Sequence, residues 1–134
     1  MKKLRESIFF VVEFDEKMGL LKSKWLPASS EITENEIKEE INLVTDFILV
    51  HKPKYCLSDN STQGFVFNID IQNWVAATLA MAFIQVGLKK FALLMPVDFI
   101  TGLALEQTVE EAGNLPFELQ YFKDEKDALT WMLN

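Results

Sequence analysis

The densest group of side chains that could do chemistry is a polar segment in the middle of the chain. Residues 58–64 read SDNSTQG and place hydroxyls, a carboxylate and amides within reach of one another. The segment follows a predicted strand at residues 54–58, so it would lie at the carboxyl edge of the sheet, where open α/β folds bind ligands. A turn that only ends a strand uses the same residue types. The candidate phosphorylation or partner loop consists of Ser58, Asp59, Asn60, Ser61 and Thr62.

Apolar loop residues form a second candidate site. Residues 65–69 are predicted to be an extended loop that packs its phenylalanines inward, and residues 96–102 are predicted to be a loop after the fourth strand. Both loops would follow carboxyl ends of strands, on the edge that also carries the polar segment. A small apolar pocket or a docking surface could form there. Its candidate residues are Phe65, Phe67, Phe99 and Ile100.

Motifs for catalysis or for a cofactor are missing from the sequence. It has no GxGxxG, GxxxxGK[ST] or GxSxG pattern, and His51 and Cys56 are its only histidine and cysteine. Cys56 lies inside a predicted strand and is expected to be a buried apolar residue. The acidic pair Glu39–Glu40 is expected on the solvent face of a helix. We therefore expect no enzymatic activity, no cofactor and no metal site.

Composition narrows the range of partners. The formal net charge is −7, and scattered basic residues do not provide the clustered cations that nucleic acids or anionic membranes require. The apolar run at residues 8–12 is too short for a signal sequence, and polar residues interrupt the long uncharged stretch 64–88, so no membrane insertion is expected. With a single cysteine, the chain fits a reducing compartment, and we expect a cytoplasmic protein.

The hydrophobic periodicity predicts an α/β fold. Strands are predicted at residues 7–14, 20–26, 54–58, 90–95 and 116–122. Helices are predicted behind a capping box at Thr33–Glu36, over residues 71–86 with Asn68 or Asp70 as the cap, over 103–112, and behind Asp124. The order β-β-α-β-α-β-α-β-α predicts a five-stranded mixed sheet in which helical crossovers connect parallel strands.

Parts of the chain resemble SpoIIAA-like STAS domains. Residues 121–133, YFKDEKDALTWML, are similar to that family's final strand and helix, F-x-D-x-x-x-A-x-x-W-L, and KKFALL at residues 89–94 is similar to its penultimate strand. The opening hairpin and the alternation of helices and strands extend the resemblance over nearly the whole chain. It implies a single STAS-like domain over residues 1–134, with helices mostly on one face of the sheet.

The resemblance also implies a function. Anti-sigma-factor antagonists of the STAS group carry a phosphorylatable serine after the third strand, typically in an Asp-Ser-Ser-Gly context, and Ser61, followed by Thr62, is the nearest match. The implied function is a non-enzymatic regulatory module that binds a protein partner. STAS-like domains are also compared with CRAL-TRIO lipid-transfer folds, which leaves a carrier or sensor of an apolar, lipid-like ligand as the alternative. A homodimer is a further possibility because small aromatic-rich domains often bury apolar surface in a symmetric contact.

Overall fold

A computed structural model describes residues 1–111 and 113–134, and the side chains of Phe99 and Glu111 lie outside that description. The strands are β1 (Lys2–Glu6), β2 (Phe10–Asp15), β3 (Leu20–Trp25), β4 (Tyr55–Asp59), β5 (Lys90–Leu94) and β6 (Glu118–Phe122). The helices are α1 (Glu34–His51), α2 (Ile69–Val86), α3 (Phe99–Glu111) and α4 (Glu125–Leu133), and a 3₁₀ helix spans Pro27–Glu31.

The strands form one mixed sheet in sequential order from β1 to β6. The pairs β1–β2 and β2–β3 are antiparallel, whereas β3 to β6 are parallel neighbours. The α/β class and the mixed sheet are as predicted, but the prediction of five strands is wrong because β1 adds a sixth. Its sequence, KKLRE, has one apolar residue and so lacks the alternation that indicates a strand.

The helices divide between the two faces of the sheet. Helices α1, α2 and α3 cover one face and enclose the larger core, which includes Trp25, Ile48 and Phe83. Helix α4 covers the other face, where Ala128 and Met132 pack on Leu57. The sheet therefore lies between a three-helix layer and a single helix.

Capping residues fix the helix boundaries. The Thr33 hydroxyl accepts a hydrogen bond from the backbone of Glu36 and the Glu36 carboxylate accepts one from the backbone of Thr33, which completes the predicted capping box. The side chains of Asn68 and Asp124 cap α2 and α4 by accepting one hydrogen bond each, from the backbones of Ile71 and Asp127. Gly87 ends α2 with a φ of 70°, a left-handed conformation that favours glycine.

Two predictions about α1 and α3 need correction. Helix α3 begins at Phe99, within the segment predicted to be a loop, because the Asp98 carboxylate accepts hydrogen bonds from the Thr101 backbone and hydroxyl and starts the helix there. The predicted end of this helix, Ala112, lies outside the described residues. Glu40 is 2% exposed rather than solvated, since Arg5 and Ser7 hydrogen-bond its carboxylate.

Helix α2 is the one described helix that is long and apolar enough to span a membrane by length and composition, with a mean hydropathy of 1.2 over 18 residues. Core helices pass the same test. Ile71, Val75 and Phe83 of α2 are buried in the larger core, and α2 contacts both α1 and α3.

Candidate functional site at the carboxyl edge of the sheet

The carboxyl ends of the parallel strands meet at one edge. Lys24 of β3 is in register with Asp59 of β4, and Asp59 with Leu94 of β5. The connections that follow these strands consequently lie side by side and enclose a surface groove. Its lining residues are Pro27, Ser61, Thr62, Gln63, Pro96, Val97 and Asp98. We refer to these seven residues as the edge groove.

Ser61 is hydrogen-bonded to Asp59 beneath the groove. The Asp59 Oδ1 atom accepts hydrogen bonds from the Ser61 backbone N–H at 3.0 Å and from the Ser61 hydroxyl at 2.6 Å. The other carboxylate oxygen of Asp59 lies 3.8 Å from Lys24 Nζ. Asp59 is buried and Ser61 is half-buried, so the hydroxyl connects the groove surface to a carboxylate that lies near the Lys24 ammonium.

Contacts with the end of β3 and with the 3₁₀ helix fix the position of the same loop. The Thr62 hydroxyl donates to the Trp25 carbonyl, and the Gly64 N–H donates to Ser29 Oγ at 3.0 Å. A Cβ atom on Gly64 would lie 2.8 Å from the Ser30 nitrogen, closer than real Cβ contacts. Glycine is therefore required at position 64 by the close approach of another backbone.

Ser58 and Asn60 of the predicted loop lie beside an interior cavity and outside the groove lining. The Ser58 hydroxyl donates to Asn60 Oδ1 at 3.2 Å, and Asn60 Nδ2 donates to the Ser58 carbonyl at 3.1 Å. The structure thus places Ser61 and Thr62 on the groove, Asp59 beneath them, and Ser58 and Asn60 along the cavity.

The four candidate apolar residues are not all adjacent. Phe65 contacts Trp25 and Phe67 in edge-to-face geometry, with ring centroids 4.8 Å and 5.2 Å apart. Phe67 also lines the interior cavity. Ile100 is 67% exposed in the first turn of α3, and the side chain of Phe99 lies outside the described residues. Phe65 and Phe67 thus pack inward, as predicted.

Of the four residues predicted to line an apolar pocket, Phe67 lines the interior cavity, whereas the other lining residues of the cavity were not predicted. The cavity has a volume of about 90 Å³ and lies between the sheet and helices α1, α2 and α3, with Trp25, Cys56, Ala76 and Leu105 among its lining residues. Gln63 lines both this cavity and the edge groove. Small residues on α2, such as Ala76 and Ala80, were the available signal, but they equally indicate close helix packing.

The groups that could support nucleophilic catalysis are separated. His51 stacks on Phe14, with ring centroids 4.8 Å apart, while the Ser61 hydroxyl donates to Asp59. Burial raises the pKa of the Cys56 thiol far above its ordinary value, which keeps the sulfur protonated and unreactive. Among the described residues, no three histidine, cysteine or acidic side chains are grouped to hold a metal ion.

No protein-family model matches the chain, and neither a curated protein nor a solved structure is significantly similar to it.

Proposed function

We propose that the protein is a non-enzymatic regulatory module of the STAS-like type that binds a protein partner through the edge groove. The observation that carries the proposal is the Ser61 hydroxyl, which is half-buried in the groove and donates to the buried carboxylate of Asp59 at 2.6 Å. Addition of a charged group to this hydroxyl, or its later removal, would change the position of the loop.

The topology supports the STAS-like part of the proposal. Strands β3 to β6 are parallel and sequential, and three helices lie on one face. Ser61 follows β4, which is the strand predicted as the third, and the family resemblance places the serine after the third strand. The sixth strand, β1, extends the sheet on the side away from β6. It leaves the loops at the carboxyl edge unchanged.

The groove surface combines apolar and hydroxyl groups. Val97 is 93% exposed, and Pro27 and Pro96 line the groove beside it. Exposed apolar side chains rimmed by polar ones are typical of protein-binding sites. The partner surface we propose therefore centres on Val97, with Ser61 and Thr62 at its polar side.

Phosphorylation at Ser61 would act as a switch. The phosphoryl group would add a charge of about −1.5 to −2 and would replace the hydroxyl proton that Asp59 accepts. Like charges would then face each other at hydrogen-bond distance, with Lys24 as the neighbouring cation that pairs with Asp59. The loop would move away from Asp59, and an acidic or apolar partner would dissociate.

Partner capture with charge-matched variants tests the proposal. The tagged protein is used to capture partners from its own host's lysate, in parallel with Ser61→Asp/Thr62→Asp and with Ser61→Asn/Thr62→Asn. We expect one protein to co-purify with the wild type and with the asparagine variant and to be lost from the aspartate variant. Val97→Asp, a change at a fully exposed side chain, should also abolish capture.

The outcome is interpretable only if the variants remain folded. Urea denaturation followed by circular dichroism should give similar unfolding midpoints for the aspartate and asparagine variants. Equal capture by all of them, or capture that Val97→Asp leaves unchanged, would exclude the edge groove as the partner surface.

A further inference from the structure

The interior cavity is a larger void than close packing leaves in most cores. Protein interiors are packed to the density of organic crystals, and the few voids they contain are mostly no larger than a water molecule. The cavity of about 90 Å³ holds several times that volume. An empty cavity destabilises the fold in proportion to its volume, so a molecule bound in this space would stabilise it.

Gln63 supplies an unsatisfied hydrogen-bond acceptor at this cavity. The residue is 7% exposed, and its Oε1 atom is the one buried side-chain nitrogen or oxygen in the described part of the chain without a hydrogen-bond partner. Its Nε2 atom donates to the Phe65 carbonyl at 3.0 Å, which fixes the orientation of the amide, because the reverse orientation would place two acceptors together. A buried acceptor without a donor is costly unless something binds to it.

Three other polar residues that line the cavity already have hydrogen-bond partners. Ser58 and Asn60 hydrogen-bond each other, and the Thr108 hydroxyl donates to the Ala104 carbonyl. No charged side chain lines the cavity within the described residues. Burial of an ion there would be unfavourable, which restricts an occupant to neutral molecules.

We propose that this cavity is a binding site for a small, neutral, apolar molecule that carries one N–H or O–H donor, and that the donor hydrogen-bonds to Gln63 Oε1. An engineered apolar cavity of ~150 Å³ holds benzene, so by the same ratio a cavity of about 90 Å³ fits roughly four non-hydrogen atoms. A five-membered ring with one N–H group is only slightly larger and supplies the required donor.

Gln63 also lies between this site and the surface. It lines the edge groove together with Ser61 and Thr62, so a molecule that reaches the cavity from this edge passes the Gln63 side chain. The proposal does not rest on the partner switch, since the hydroxyls of Ser61 and Thr62 bond to Asp59 and Trp25 and not to Gln63 Oε1.

Two probes of nearly equal shape test the proposal. Pyrrole carries an N–H donor and furan does not. Each is titrated into the full chain while the Trp25 indole and the Gln63 side-chain amide are followed by NMR. We expect saturable shifts at both groups and a preference for pyrrole of about five- to tenfold, the contribution of one net hydrogen bond.

Two variants separate the contribution of the hydrogen bond to probe binding from that of the cavity volume. Gln63→Leu removes the acceptor, and we expect it to abolish the preference for pyrrole while furan still binds. Ala76→Val, on helix α2, reduces the volume and leaves the sequence of the Gln63 loop unchanged, and it should weaken binding of both probes. Shifts that do not saturate, equal affinities for the two probes in the wild type, or a slowly exchanging water on Gln63 that pyrrole does not displace would each overturn the proposal.

Discussion

Arg5 Nε donates a hydrogen bond of 2.8 Å to Glu40 Oε1 and thereby joins the edge strand β1 to the buried side of helix α1. The Glu40 side chain is almost fully buried, and Arg5 is 30% exposed. Ser7 donates to the second carboxylate oxygen at 2.5 Å. These contacts explain how a strand of mostly charged residues remains attached to the sheet.

The Arg5–Glu40 pair predicts an asymmetric response to mutation. Arg5→Ala leaves a buried carboxylate without its cation, and we expect it to lower the free energy of unfolding by about 2 kcal/mol or more. Arg5→Ala/Glu40→Gln removes the charge as well and should recover part of that loss. Urea denaturation of the three proteins measures the difference, and an Arg5→Ala variant as stable as the wild type would contradict it.

The sequence predicted the helices better than the edges of the sheet. Helix signals are local: Thr33 with Glu36, Asn68 and Asp124 each lie next to the helix they cap, and apolar residues repeat at helical spacing behind them. Strand β1 lacks such a signal because its stability depends on backbone pairing with β2 and on Glu40, which is 35 positions away from Arg5. The same separation explains why Glu40 was expected at the surface.

The sequence predicted where the candidate site lies but not how its side chains are arranged. The rule that ligands bind at carboxyl ends of parallel strands correctly placed the loops after β4 and β5 on one edge. It could not show that Ser61 bonds to Asp59, or that Ser58 and Asn60 line a cavity. Those outcomes depend on the register between strands and on Gly64, whose approach to Ser30 fixes the loop.

Asp98 predicts a loss of stability in acid. Hydrogen bonds from the Thr101 backbone and hydroxyl hold the pKa of Asp98 below its ordinary value of 3.8. Because the pKa is lower in the folded chain than in the unfolded chain, the ionised carboxylate stabilises the fold fully above the ordinary pKa. That contribution is lost as the pH falls through the folded-state pKa.

Thermal melts between pH 3 and pH 6 check the role of Asp98. We expect Asp98→Asn to melt below the wild type at pH 6 and the difference to shrink as the pH falls below 4. Thr101→Val removes one of the two donors to the Asp98 carboxylate. It should also melt below the wild type at pH 6, and this difference should also shrink as the pH falls below 4. A pH-independent gap between Asp98→Asn and the wild type would contradict the assignment of this effect to the carboxylate.

We expect the reactivity of the Cys56 thiol to report on unfolding. Cys56 is buried in β4, and burial raises the pKa of its thiol, so the reactive thiolate is scarce in the native state. A disulfide reagent should modify the native protein at least ~10³-fold more slowly than the chain in concentrated guanidinium chloride, because reaction requires β4 to open. Comparable rates in the two states would show that Cys56 is accessible without unfolding.

Gly64 and Gly102 predict opposite responses to the same substitution. A Cβ atom on Gly64 would lie 2.8 Å from the Ser30 nitrogen, so Gly64→Ala should force the loop or the 3₁₀ helix to shift and should lower the free energy of unfolding by ~1–3 kcal/mol. Gly102 lies within α3 and its added Cβ would meet nothing nearer than 3.7 Å, so Gly102→Ala should stabilise the protein by ~0.5–1 kcal/mol.

Urea denaturation of the two glycine variants distinguishes a local effect on the loop from a general effect of an added methyl group. The backbone amide resonances of residues 61–64 should move in Gly64→Ala and remain in place in Gly102→Ala. If Gly64→Ala is neutral and its loop resonances are unchanged, the contact with Ser30 does not hold the loop, and the position of Ser61 over Asp59 must depend on the Thr62–Trp25 hydrogen bond instead.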